Sequence, residues 1–435
     1  MRKVLLLFVV GALLGACSES IFDSKKAKIP GERIPILFLE SERKPEVDGA
    51  SIQLPPPQVN ASWPQSGGYP SHAMHHLAIA DAPAEVWSSS VGRGDSSDRR
   101  LISEPVIADG RAYVADVSGR VSAYDVENGD RLWRVDLTPE DQEDVPFSGG
   151  IAYAYGRLFV STGFAEAVAL DAATGEVIWR RSVFSPMRAA PAVSDGRVFV
   201  TTVDSRLFVL DARDGEMLWN HQGFEETAAI LGGASPAIAD GVVVVPYSSG
   251  EIFAMLASNG RIMWSYSLAS LRRNDVISSI ADIRGNPVID RDRIFAISHS
   301  GRIVAIDSGT GETVWEKEIG GIQTPWVAGK YLYLITSESE LICLSREKGE
   351  ILWILRLPDY GDMAEKENPI VWYGPVLASD RLLVANSNGV VLSVSPYRGT
   401  VVSQIKLDDG VITAPVVAQG TIYLLTTDAD LVAFR

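Results

Sequence analysis

Ala169-Leu170-Asp171-Ala172-Ala173-Thr174-Gly175-Glu176-Val177-Ile178-Trp179 is one copy of a pattern that fills most of the chain. A tryptophan follows a glycine by four residues here, and again at Gly129/Trp133, Gly215/Trp219, Gly260/Trp264, Gly311/Trp315 and Gly349/Trp353. Gly399 to Ser403 continues the series with the tryptophan lost, and Trp87 opens it without its glycine. A repeat of about forty-five residues marks a modular array, because each unit is one supersecondary element that needs its neighbours to bury its faces.

Each copy has the same internal grammar. A proline, or Gly150 in one case, starts a short strand: Pro105, Pro191, Pro236, Pro287, Pro325, Pro375 and Pro415. Proline is tolerated at a strand start, where no ladder bond is lost. A hairpin turn follows, clearest at Asp109-Gly110, Asp195-Gly196 and Asp240-Gly241. A second turn at Ser118-Gly119, Ser249-Gly250, Ser300-Gly301 or Asn388-Gly389 leads to a third strand ending near Asp125, Asp171, Asp211 or Asp307. The Asp-x-x-Thr-Gly turn then hands over to the tryptophan strand. Four short strands per unit and no helical periodicity predict an all-β, eight-bladed β-propeller of four-stranded antiparallel blades. The last repeat stops at Leu431-Val432-Ala433-Phe434-Arg435, after three strands. Glu85-Val86-Trp87 is expected to supply the fourth, closing the ring and removing an open edge.

The amino terminus predicts export. Arg2 and Lys3 precede an apolar run over residues 4–14, too short to span a bilayer. Leu14-Gly15-Ala16-Cys17 resembles the bacterial lipobox, which implies cleavage before Cys17 and lipidation of that residue. Ser18 then implies the outer membrane, and the acyl chains suffice for stable anchoring. The expected organisation is a signal peptide (1–16), a lipidated cysteine with an extended, Pro-containing tether (17–82) and the propeller (83–435). Trp63-Pro64-Gln65-Ser66-Gly67-Gly68 ends the tether, with Trp63 expected to pack on the body.

The net charge of −16 argues against nucleic acid and anionic lipid as partners. With Cys17 lipidated, Cys343 alone remains and no internal disulfide can form. His72, His75 and His76 form a cluster, but nothing fixes their geometry for a metal and none is assigned to them. No Ser-His-Asp grouping or phosphate-cradling loop stands out.

Ala-x-Asp-x-x-Thr-Gly-x-x-x-Trp is similar to the pyrroloquinoline-quinone-type propeller repeat, found in two classes of protein. Quinoprotein dehydrogenases bind quinone and calcium with an adjacent cysteine pair, absent here, and have long insertions that these repeats cannot hold. The lipobox, tether, Trp-Pro-x-x-Gly-Gly and eight-bladed ring together resemble the BamB family across the chain. That resemblance implies a non-enzymatic, cofactor-free lipoprotein scaffold of the β-barrel assembly machinery, facing the periplasm. It would bind BamA through the POTRA domains, sit beside the other Bam lipoproteins and meet unfolded barrel precursors. The family's Leu-x-Leu-Arg-Gly stretch becomes Ala228-Ala229-Ile230-Leu231-Gly232, and its Asp-x-Asp becomes Asp282-Ile283-Arg284. Ile230 and Asp282 match in kind, whereas Leu231 and Arg284 depart. The expected contact is an apolar anchor at Ile230 and Leu231 with a polar rim at Asp282 and Arg284. The alternatives are a quinone-dependent dehydrogenase and a ligand-binding or sensor propeller.

Overall fold

The computed structural model describes residues 43–47, 49, 51–95, 100–140, 149–187, 189–224, 232–269, 282–299, 301–362 and 367–435. Cys17, Ile230, Leu231 and the Leu271-Arg272-Arg273-Asn274 stretch lie outside them. Among the described residues there is no helix. Eight four-stranded antiparallel sheets form the blades of the expected propeller, joined by a short ribbon of Tyr360–Asp362 with Glu367–Pro369. Blades 1 to 7 span residues 106–136, 150–182, 192–222, 237–267, 288–317, 326–356 and 372–406. Blade 8 takes three strands from 416–434 and its fourth from Glu85–Ser90, which pairs Trp87 with Ala433. The first and last strands of the propeller thus meet in one sheet.

Blade 2 shows why these residues fold this way. The strands Arg157–Ser161 and Glu166–Asp171 are buried on both faces, since neighbouring blades flank them, and so read as apolar runs. The Asp171 carboxylate accepts N–H bonds from Ala173 (2.9 Å) and Thr174 (3.0 Å), and the N–H of Gly175 reaches the Asp171 carbonyl (2.8 Å). The turn therefore closes on itself before the chain enters Val177–Ser182, the exposed outer strand. In blade 7 the expected start is displaced: the strand Trp372–Ala378 begins before Pro375, with a register shift between Tyr373 and Val376.

The glycine–tryptophan pair acts between blades. Each indole N–H donates to a carbonyl in the turn before the next blade's fourth strand: Trp87 to Val126 (3.0 Å), Trp133 to Ala172 (3.2 Å), Trp179 to Ala212 (3.3 Å) and Trp219 to Ala257 (3.2 Å). Trp264, Trp315 and Trp353 do the same toward Ser308, Arg346 and Pro396. The ring lies flat on the following blade's glycine. A Cβ on Gly175 would stand 2.7 Å from the Trp133 ring, and one on Gly349 2.6 Å from Trp315. Ser403 leaves the junction of blades 7 and 8 without an indole. One apolar cluster bridges it, running from blade 6 through Leu383, Val416 and Leu431 to Ile107 of blade 1.

Residues 58–79, within the segment read as tether, run once around the inside of the ring. Asn60 O accepts from Gln419 of blade 8, and Trp63 exchanges both backbone bonds with Ile107 of blade 1. Pro64 O accepts from Tyr153, and the Gln65 amide pairs in both directions with Val193 (2.8 and 2.9 Å). Pro70 and Ser71 carbonyls accept from Ile238 and Ile289, and His75 O accepts from the Trp326 indole. Leu77 bonds Leu377 and Ser379, and the belt closes where Gln58 bonds His76 and Ala78. Seven of the eight innermost strands thereby find a partner for a backbone edge that would otherwise face the channel, and blade 6 is held through its indole. Trp63 stacks on Trp326 (6.2 Å between centroids) and fills the axis. Gly68 has a positive φ of 99°, and any side chain there would collide with Met74.

The three histidines are belt anchors whose rings reach separate partners. His72 Nδ1 meets Pro287 O at 2.7 Å. His76 donates from Nδ1 to Pro55 O (2.6 Å) and accepts the Asp380 N–H at Nε2 (2.9 Å). His75 stands 3.6 Å from the Asp290 carboxylate.

Two outcomes are expected. Gly175→Ala should lower stability by about 1–3 kcal/mol more than Gly156→Ala, which shares the positive φ but meets nothing within 4 Å. Urea unfolding followed by tryptophan fluorescence compares them. Burial pulls the His72 imidazole down to about 4, partly offset by its bond to Pro287. The unfolded chain then binds a proton near pH 6.5 that the folded chain refuses, so this contribution is complete above pH 6.5. It is lost by up to about 1.4 kcal/mol per pH unit as pH falls toward 4. Stability profiles of wild type and His72→Gln should differ by that slope; parallel profiles would contradict it.

Candidate functional site

One face of the ring carries the linkers between blades and the turns joining second to third strands. The belt bonds to the middle and far ends of the innermost strands, so it closes the opposite half of the channel. Among the described residues, two cavities on the linker face stand out. A groove of about 60 Å³ lies between blades 3, 4 and 5, walled by Thr202, Val203, Gly233, Tyr247, Asp282 and Ile283. An axial cavity of about 100 Å³ is lined by residues preceding the innermost strands, among them Ser103, Glu104, Asn286, Thr324 and Thr413, with Ser66 of the belt.

Linkers 3–4 and 4–5 bring three of the expected contact residues together. Gly232 adopts φ 96°, and a Cβ there would stand 3.1 Å from Arg284 Nε, so only glycine lets the guanidinium settle over this backbone. Gly232 borders both cavities, whereas Asp282 faces the groove and Arg284 the axial cavity. Asp282 is 4% exposed and its carbonyl accepts the His299 N–H (3.0 Å), so it is not the exposed rim expected from the sequence. The linker turns inward at Ile283, which is 2% exposed in the core of blades 4 and 5, and carries Asp282 down with it. Burial lowers the pKa of Arg284 from its ordinary value, opposed by Tyr373 and Asp282.

The apolar surface on this face lies beside the groove. Phe184 is 81% exposed, Phe224 71% and Val203 37%, on the linkers flanking blade 3 and on its own turn. The Phe224 N–H donates to the Glu251 carboxylate (3.3 Å), which also accepts from the Ser249 hydroxyl (2.9 Å). Beneath it the Tyr247 hydroxyl, whose pKa burial raises, meets His221 Nδ1 at 2.8 Å. These aromatics were not singled out from the sequence. The available signal was a large apolar residue just past a tryptophan strand, at Gly223-Phe224 and Val183-Phe184. The apolar pairs before Trp179, Trp219 and Trp264 are similarly exposed, as at Val177 and Ile178, but they line the outer rim. Cys343 is buried in blade 6, and desolvation pushes its thiol well above the ordinary range.

A family model described as outer membrane protein assembly factor BamB matches residues 76–140, 117–355 and 361–435. The protein of that name from Salmonella typhimurium strain LT2 is 29% identical over 356 residues, covering 81% of this chain and 88% of its own length. Its counterpart in Escherichia coli K12 is 28% identical over 354 residues, covering 80% and 88%. The crystal structure of BamB from Moraxella catarrhalis superposes with a TM-score of 0.69 at 20% identity, covering 81% of this chain and all of that one. A quinohemoprotein alcohol dehydrogenase from Comamonas testosteroni reaches 0.63 at 14% identity, covering 86% and 80%. Likeness at these identities speaks to the fold alone.

Proposed function

We propose, from the premise that this chain belongs to the BamB family of outer membrane protein assembly factors, that it is a scaffold subunit of the machinery that assembles β-barrels in the outer membrane. The observation that carries this reading is the family match over residues 76–355 and 361–435 of a single eight-bladed ring. In this reading Cys17 is lipidated, the segment after it tethers the body to the membrane, and the propeller works on the periplasmic side. No catalytic residue is assigned.

BamA is the proposed partner, held through its POTRA domains on the linker face around blades 3 to 5. The exposed Phe224 and Phe184 beside a groove give the shape of an apolar anchor site, with Ile230 and Leu231 on the same linker as Phe224. Asp282 lies beneath this site rather than forming its rim, and Arg284 lines the axial cavity instead. Gly232 contributes through its backbone, which borders the groove.

Full-length protein extracted from mildly solubilised outer membranes is expected to carry a BamA-like barrel protein and companion lipoproteins. Phe224→Asp and Ile230→Asp should each weaken binding to purified POTRA domains about tenfold or more, with the circular dichroism spectrum unchanged. Wild-type affinity in both folded variants would remove the linker face as the docking site. Recovery of the wild-type chain alone would remove the scaffold reading itself.

A further inference from the structure

The axial cavity holds unmet hydrogen-bonding capacity of a particular kind. Arg284 makes no hydrogen bond or ion pair among the described residues, although it is half-buried and lines this cavity. The Thr413 hydroxyl is buried and has no partner, in a residue 5% exposed. Ser103 is 1% exposed, and its hydroxyl makes only a 3.5 Å contact with the neighbouring Glu104 carbonyl. Tyr373 borders the same space, and burial raises the pKa of its hydroxyl against the opposing pull of the nearby Arg284 guanidinium, so the hydroxyl stays a donor. Buried polar groups without partners are costly, and a cation facing hydroxyl donors is the arrangement that an anionic oxygen satisfies.

The surroundings favour an anion despite one acid. Glu104 lines the cavity, but its carboxylate accepts the Gly67 N–H (2.9 Å), and burial pushes it toward the neutral form. Asn286, also at the wall, is already engaged: its carbonyl accepts from Ser235 N–H and its amide donates to Ser66. The belt closes the cavity on the side opposite the linkers. About 100 Å³ accommodates a few waters or one small ion, well below the several hundred needed for a polycyclic cofactor.

We infer that the axial cavity is a binding site for a small oxyanion, a carboxylate or a phosphate, held by Arg284, Thr413 and Tyr373. The site is independent of the partner surface proposed above, which lies outside the axis.

The test titrates the full chain, in a chloride buffer of constant ionic strength, with sodium phosphate and separately with sodium acetate, read by calorimetry and by melting temperature. Saturable binding of either anion is expected, and which of the two binds assigns the class. Thr413→Val keeps the side-chain volume and should weaken binding about threefold to tenfold, as should Tyr373→Phe. Arg284→Gln should abolish it. Absence of binding by the folded wild type to both anions would overturn the inference. So would unchanged affinity in folded Thr413→Val and Tyr373→Phe.

Discussion

The ring depends on one contact repeated seven times, an indole laid against a glycine of the next blade. A blade by itself exposes two apolar faces and cannot bury them. The tryptophan contributes a large apolar ring to the gap and a directed N–H bond to the far side. The glycine is needed because the ring occupies the volume a Cβ would take, and because the turn requires a positive φ. The same eleven-residue motif therefore encodes a turn within one blade and a junction between two. Where the motif fails, at Ser403, an apolar cluster and the joined first and last strands hold the seam.

The belt answers a different problem. Eight innermost strands surround an axis, and each presents a backbone edge to it. Residues 58–79 meet those strands in order, from blade 8 through blade 1 to blade 7, and plug one end with Trp63. The channel becomes a shallow polar cavity on the linker side of the belt. Asymmetry between the two faces of a nearly symmetric ring thus comes from a segment outside the repeats. It leaves the linkers around blades 3 to 5, with their exposed aromatics, as the varied surface of the molecule.

The electrostatics of the linker face follow from the same geometry. Arg284 is drawn toward the axis over Gly232, while Asp282 is carried under the groove by the burial of Ile283. Two residues that are neighbours but one in sequence face two different cavities. An exposed ion-pairing rim cannot be built from them, although Arg284 remains close enough to Asp282 to feel its charge.

The sequence by itself determined the number of blades, their four-strand order, the ring closure through Trp87 and the meaning of each Asp-x-x-Thr-Gly turn. All of these rest on contacts within one repeat or between adjacent repeats, so a period of about forty-five residues carries them. Tertiary structure alone decided the path of the belt, because its successive residues meet eight different blades and no local period records that. His72, His75 and His76 show the limit: adjacent in sequence, they read as a cluster, yet ring closure sends each to a different partner. The burial of Asp282 and the turn of Arg284 toward the axis were hidden for the same reason. A linker's side chains are placed by the cavity around which the whole ring closes, and that cavity exists only once the last strand has met the first.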